Sequence, residues 1–326
     1  MIQDDGGVQQ CPGSPCPARP ERLGPAGLTR VALKGAAQAA AVLAPASPAV
    51  LSLLLACAPA SQPEEVDLAV VNADLPVSLH HPRWPDPDAR LTPPPLDFPA
   101  EFGVRRVFLD AGHGAARNTG NTSAFCEQEQ DVMAALSSSL AAAMEATGHF
   151  AVRQSRLADE QVPYRDRLRA AQDWGAEAFI SLHSDSRGAL TPWEPEPGLR
   201  CYRSADTAGF SVLWSDEGSL ADARLDLARA LAASMAQAGF APYDGGEYAG
   251  LYAPDTDTAG GFVDRHAPRR RIMFLRRPVM PSVIIETHHA LDPAAAERFR
   301  MPDAQAAIHA AVIAGLVEWF QRTPAQ

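Results

Sequence analysis

Two histidines and two or three carboxylates stand where a hydrolytic metal site would need them. His113 lies in the turn Leu109-Asp110-Ala111-Gly112-His113-Gly114, whose glycines let the backbone bend sharply around it. His183 closes the apolar run Ala178-Phe179-Ile180-Ser181-Leu182, and Glu286 closes Ser282-Val283-Ile284-Ile285. Glu127 and Glu129 both precede a long Ala/Leu-rich segment. Two imidazoles and one carboxylate give zinc three protein ligands and leave a fourth position open to water, as in catalytic rather than structural sites. A metal so held lowers the pKa of water to roughly 7, and a carboxylate outside the ligand set can then move the proton to a leaving amine. The expected ligands of one zinc ion are therefore His113, His183 and one of Glu127 or Glu129, with Glu286 as the base. Any one of these residues alone would more often be a satisfied structural polar group. Only their convergence carries the expectation.

Convergence follows from the elements that must position them. The three apolar runs read as central strands covered on both faces, and they alternate with amphipathic segments at 131–147, 164–174, 220–238 and 303–320. Gly148, Gly175 and Gly239 stop the first three as helix terminators. The fold expected is α/β, a single domain with a central, mostly parallel sheet flanked by helices. Ligands of an open parallel sheet bind outside the carboxyl ends of its strands. His113, His183 and Glu286 each follow a strand, and Glu127 and Glu129 stand at the start of the helix after the first one, so all reach the same edge. Segments 187–200 and 205–219 are longer than a minimal domain needs and read as loops over the cleft.

Composition narrows the class. Of 326 residues, 39 are acidic and 28 basic, a net charge of -11 that excludes a sequence-independent grip on nucleic acid. Residues 1–30 are rich in Pro and Gly. Arg30 and Lys34 then precede a charge-free stretch, 35–56, broken by Pro45 and Pro48, whose solidly apolar part is too short to span a bilayer. This is the layout of a secretory signal. It ends Leu54-Leu55-Ala56-Cys57, which resembles the lipobox of bacterial lipoproteins, so residues 1–57 read as an N-terminal extension and lipoprotein-type signal, with membrane contact only through a lipid on Cys57. Residues 58–103, including Pro93-Pro94-Pro95, read as a Pro-rich tether, and 104–326 as the catalytic domain. Cys126 and Cys201 then remain as an even pair that an oxidising compartment could join, although spacing alone does not say whether they meet. The cluster Arg269-Arg270-Arg271 with Arg276 and Arg277 reads first as a solvated surface run and second as a receptor for carboxylates.

Taken in order, the four motifs resemble the zinc-dependent N-acetylmuramoyl-L-alanine amidases with the amidase-3 type catalytic domain. That family opens on a Leu-Asp-Pro-Gly-His-Gly-like turn, matched here except for Ala111. Its Glu-Lys-Asp-like triplet is similar to Glu129-Gln130-Asp131, which favours Glu129 over Glu127. Its Ser-Ile-His-Ala-Asn segment resembles Ser181-Leu182-His183-Ser184-Asp185, and its closing Pro-Ser-Val-Leu-Val-Glu strand resembles Pro281 to Glu286. The usual asparagines are replaced by Gln172 and Asp185. The resemblance implies one zinc on His113, Glu129 and His183, Glu286 as base, and peptidoglycan as substrate. The bond cut would be the amide between N-acetylmuramic acid and L-alanine. The lipobox-like end, with Ala58 after Cys57, resembles the pattern of outer-membrane sorting, so a periplasmic setting anchored at the outer membrane through Cys57 is expected, with an activator protein admitted as a partner. Two other readings stand beside it: a zinc peptidase acting on another cell-wall amide, and a non-catalytic peptidoglycan-binding lipoprotein. A binding module has no need of a free Glu286 beside an open metal site.

Overall fold

Period-two alternation along the apolar runs sets the architecture. Val107, Leu109, Ile180, Leu182, Val283 and Ile285 belong to one hydrophobic cluster, while Phe108, Phe179 and Ile284, which interleave with them, belong to another. The sheet therefore has a core on each face. The computed structural model describes residues 83–323. In chain order the elements are β1 (Arg105–Ala111), α1 (Glu129–Ala146), β2 (Phe150–Gln154), α2 (Tyr164–Trp174), β3 (Ala178–Asp185) and the hairpin β4 (Thr191–Glu196) and β5 (Leu199–Arg203). There follow β6 (Ser211–Trp214), α3 (Ala221–Gln237), β7 (Tyr252–Pro254), β8 (Gly261–Asp264), the single turn α4 (Met273–Arg276), β9 (Ser282–His289), α5 (Pro293–Phe299) and α6 (Pro302–Arg322).

Seven strands form one sheet in the order β2-β1-β3-β9-β6-β8-β7. β2, β1, β3 and β9 run parallel, so the ends of β1, β3 and β9 share one edge. β6 runs antiparallel to β9, and β7 antiparallel to β8. The sheet is thus mixed, and the shared edge belongs to its parallel half. On one face Met133, Leu136, Leu140 and Met144 of α1, spaced as a helical stripe, join Leu227, Leu231, Ile308, Val312 and Leu316 from α3 and α6. A Cβ on Gly315 would come 2.9 Å from the Leu231 Cα, so the close crossing of α3 and α6 depends on glycine there. The opposite face is covered by α2, α4 and the aromatic residues Tyr243, Tyr248 and Phe262.

Three segments differ from the sequence reading. The stretch 205–219 is not a loop throughout: Ser211–Trp214 is a fully buried strand beside β9, too short for its pattern to stand out. Within 187–200 lies most of the β4–β5 hairpin, a separate two-stranded sheet. In the segment assigned to a tether, Trp84, Leu91 and Phe102 are buried in the larger core, and Phe98 stacks on His149 with ring centroids 4.2 Å apart. The prolines of that segment prevent regular structure, but its aromatic residues still find apolar partners. The signal-like run and Cys57 lie outside the described residues. No helix among the described residues is long and apolar enough to cross a membrane.

Candidate metal centre

The β1 turn, the start of α1 and the end of β3 bring His113, Glu129 and His183 together. Their ligand atoms all lie within 4.8 Å of one another, and all three residues are buried. The two carboxylate oxygens of Glu129 face the two rings separately. Oε2 is 3.1 Å from His113 Nε2, and Oε1 is 3.0 Å from His183 Nδ1. Backbone amides of Asn121 and Ser184 also donate to these oxygens, at 2.9 and 3.0 Å. Burial pushes the Glu129 carboxyl up, but the two imidazoles that face its oxygens outweigh burial and hold the group well below the usual range. Burial keeps His183 below its ordinary pKa, hence neutral, as a metal ligand must be. Glu127, by contrast, is exposed and paired with Arg300 at 2.6 Å, outside the set.

Each imidazole is aimed by a partner on its other nitrogen. His113 Nδ1 donates to Asn118 Oδ1 at 2.7 Å, which leaves Nε2 for a metal. His183 Nε2 donates to Ser181 Oγ at 3.1 Å, and Ser181 donates in turn to Asp110 Oδ2 at 2.6 Å, leaving Nδ1 for the metal. Such outer partners fix the tautomer and raise ligand basicity. A Cβ on Gly120 would lie 2.6 Å from both Glu129 Oε2 and the His113 ring, so the cradle closes only around glycine. The donor set and its aimed nitrogens therefore fit a small borderline-soft cation.

Two buried arginines hold the turn that presents His113, which itself adopts a left-handed φ of 58°. Arg156 donates to the carbonyls of Ala111, Gly112 and His113 and to that of Gln130 in α1. Arg167 donates to the carbonyls of Ala111 and His113 and pairs with Asp110 at 3.0 Å. Burial raises the Asp110 carboxyl, yet Arg167 and two serine hydroxyls bring it below its usual value, so it is a charged structural partner. Neither arginine, nor Asn118, nor Asn121 stands out in the sequence. Ser181 and Asp110 fall within its motifs, where nothing marks their role.

Glu286 stands at the same edge. In the strand register it faces His183 of β3 on one side and Ser211 of β6 on the other. Its Oε2 is buried with no hydrogen-bond partner. Burial pushes its carboxyl well above the usual range, and the charges of Asp185 and Glu129 push the same way against Arg187. A carboxyl so raised takes up a proton more readily than an exposed one, as a group that transfers protons must. His288 is stacked on Phe299 at 4.1 Å and its pKa is pulled down by burial to about 3, so it serves as a neutral core ring.

A cavity of about 390 Å³ adjoins the centre on its α1 side, walled by Asn121, Glu129, Ser184, Phe299 and Arg300. The rim is braced by the insertion: Cys126 and Cys201 are disulfide-bonded with Cα atoms 5.4 Å apart, and Trp193 donates to the Ala124 carbonyl. The arginine cluster lies elsewhere. β8 runs opposite to β9, so its end at Asp264 and the residues after it are at the other edge of the sheet, where Arg271 and Arg276 pair with Asp216 and Glu217. That placement removes the cluster from the cleft.

A family model described as N-acetylmuramoyl-L-alanine amidase matches residues 107–318. Over 83 residues the chain is 31% identical to a sporulation-specific N-acetylmuramoyl-L-alanine amidase of Bacillus subtilis, covering 26% of this chain and 32% of that protein. Over 81 residues it is 36% identical to N-acetylmuramoyl-L-alanine amidase AmiA of Salmonella typhimurium, covering 25% of this chain and 27% of that protein. These alignments thus span at most about a third of the curated relatives. Among solved structures, N-acetylmuramoyl-L-alanine amidase AmiC2 of Nostoc punctiforme superposes with a TM-score of 0.47 at 22% identity, over 67% of this chain and 98% of that one.

Proposed function

The chain belongs to the N-acetylmuramoyl-L-alanine amidase family, and from that premise we propose that it is a zinc-dependent hydrolase of the amide joining N-acetylmuramic acid to L-alanine in peptidoglycan. The observation that carries this reading is the convergence of His113, Glu129 and His183 within 4.8 Å, with an unpartnered Glu286 at the same sheet edge. A zinc ion bound by those three residues would supply Lewis acidity and a lowered pKa for water. The chain's own residues do the rest. Asn118 and Ser181 keep the imidazoles aimed, and Arg156 and Arg167 keep the His113 turn in place. Glu286 accepts the proton of the attacking water as oxygen bonds to the lactyl carbonyl carbon, and returns it to the alanine nitrogen as the C–N bond breaks. The products are a lactyl carboxylate and a free stem-peptide amine. The cavity beside Glu129 offers room for a substituent flanking that bond.

The substrate places the enzyme outside the cytoplasm, in the cell envelope, and the disulfide between Cys126 and Cys201 is consistent with an oxidising compartment there. Anchoring at the outer membrane through a lipid on Cys57 is part of this proposal. Its test is detergent partitioning: wild type should enter the detergent phase and Cys57→Ala should not, and identical partitioning would refute the anchor. For the activity, purified sacculi digested with the protein are analysed by mass spectrometry, with and without a chelator. Free stem peptides with an N-terminal alanine, lost on chelation and restored by zinc, are expected. Cleavage at another amide would transfer the reading to a cell-wall peptidase.

A further inference from the structure

Glu286, whose Oε2 is buried, lies near a buried guanidinium and a buried phenol, yet forms a hydrogen bond with neither. Arg187 is 2% exposed and stacks over Tyr243 at 3.5 Å. Its Nε donates to Asp185 Oδ2 at 2.8 Å, its Nη1 to the carbonyls of Thr207 and Gly209 at 3.1 and 3.2 Å, and its Nη2 to Gly209 O at 3.2 Å and Ser211 Oγ at 3.4 Å. The Tyr248 hydroxyl donates to the same Asp185 oxygen at 2.5 Å and lies 3.2 Å from Ser211 Oγ. Ser211 is the cross-strand neighbour of Glu286, and cross-strand neighbours have Cβ atoms only about 4.5–5.5 Å apart. Both donors thus reach the hydroxyl of the residue paired across the sheet with Glu286. An unpaired buried carboxylate ordinarily draws such donors, because leaving it alone is costly.

We propose that Asp185 is a positioning residue that holds Arg187 and Tyr248 away from Glu286, keeping the carboxylate that moves the proton unpartnered. A register shift between β3 and β9 falls between His183 and Asp185, the kind of irregularity that re-aims a side chain beside a site. Asp185 then competes with Glu286 for the same two donors and wins, since it takes both on one oxygen. Were Arg187 to turn to Glu286, its guanidinium would occupy the carboxylate oxygens that must receive the proton.

This rests on Glu286 acting as the base. The test uses the full chain and its metal. Asp185→Asn keeps shape but surrenders the charge, so Arg187 should move to Glu286, and kcat on sacculi should fall about tenfold or more at unchanged KM and zinc content. Asp185→Asn combined with Arg187→Gln removes the competing cation and should recover most of the lost kcat. A crystal structure of Asp185→Asn should show Arg187 in ion-pair contact with Glu286. Wild-type kcat in Asp185→Asn, an unmoved Arg187, or a folded, zinc-loaded double variant no faster than Asp185→Asn would each overturn the proposal. If the double variant does not fold, the Asp185→Asn structure decides. A wild-type protein that leaves sacculi intact sinks the amidase reading instead, while the crystallographic comparison still decides whether Asp185 restrains Arg187.

Discussion

At the scale of single residues, the site is a set of nitrogens and oxygens held in one orientation by neighbours. Losing one of three ligands leaves too few to hold the ion, so His113→Ala and His183→Ala should each abolish zinc retention and turnover. Elemental analysis of the purified variants checks this, and full occupancy would remove the residue from the set. Glu286 carries a pH signature. Its folded pKa is raised by burial, so below the unfolded value of about 4.3 both states are protonated and the group has no effect. As pH rises past that value, the unfolded chain releases the proton while the folded one keeps it, and stability falls until the folded pKa is passed. Metal-free Glu286→Gln should therefore be more stable than metal-free wild type near pH 8 and melt alike near pH 4. Equal melting at both would contradict the buried, uncompensated carboxyl. That His113, His183 and Glu286 meet at one edge was legible in the sequence because each follows an apolar run, whereas Glu129 was told from Glu127 only by its likeness to the family's triplet. Asn118, Asn121 and Ser181 were not, since an amide or hydroxyl signals nothing until its partner is known.

At the scale of elements, what could be read was what is long and periodic. The helix ended by Gly175 was placed to the residue at Tyr164–Trp174, where Gly175 takes the left-handed cap conformation the stop signal requires. β6, at four residues, and the hairpin, rich in proline and exposed residues, carry too little pattern to be told from loop. Arg156 was missed for a different reason: arginine reads as surface until five backbone carbonyls are found around it. Arg156→Met should keep the fold's helices while weakening zinc binding about 10- to 100-fold, as loss of an outer partner does. Competition against a chelator of known affinity measures it, and unchanged affinity would reduce Arg156 to packing. The Cys126–Cys201 bond ties the hairpin to the loop leading into Glu129. Replacing both cysteines by serine should cost about 2–4 kcal/mol of stability in chemical denaturation, and no loss would show the loop to be held by its other contacts alone.

At the scale of the whole molecule, the parallel half of the sheet gathers His113, His183 and Glu286 at one edge, while β6, antiparallel to β9, places Ser211 beside Glu286. The α/β class and the shared edge followed from strand and helix alternation alone. The domain's beginning did not: prolines dominate residues 83–103 in the sequence, whereas Trp84 dominates them in the fold, 1% exposed against Phe240, His288 and Phe299. Trp84→Ala should cost about 3–5 kcal/mol, measured by denaturant unfolding, and a neutral substitution would restore the tether reading for that segment. The central claim is that a metal centre and a separate carboxylate base act together on the wall. Glu286→Gln tests it most directly, because glutamine keeps the side chain's shape and cannot take a proton. Incubated with sacculi, the variant should hold zinc at the wild-type level and sediment with the wall, while stem-peptide release falls by roughly two to four orders of magnitude. Release at the wild-type rate from a zinc-loaded Glu286→Gln protein would contradict the account.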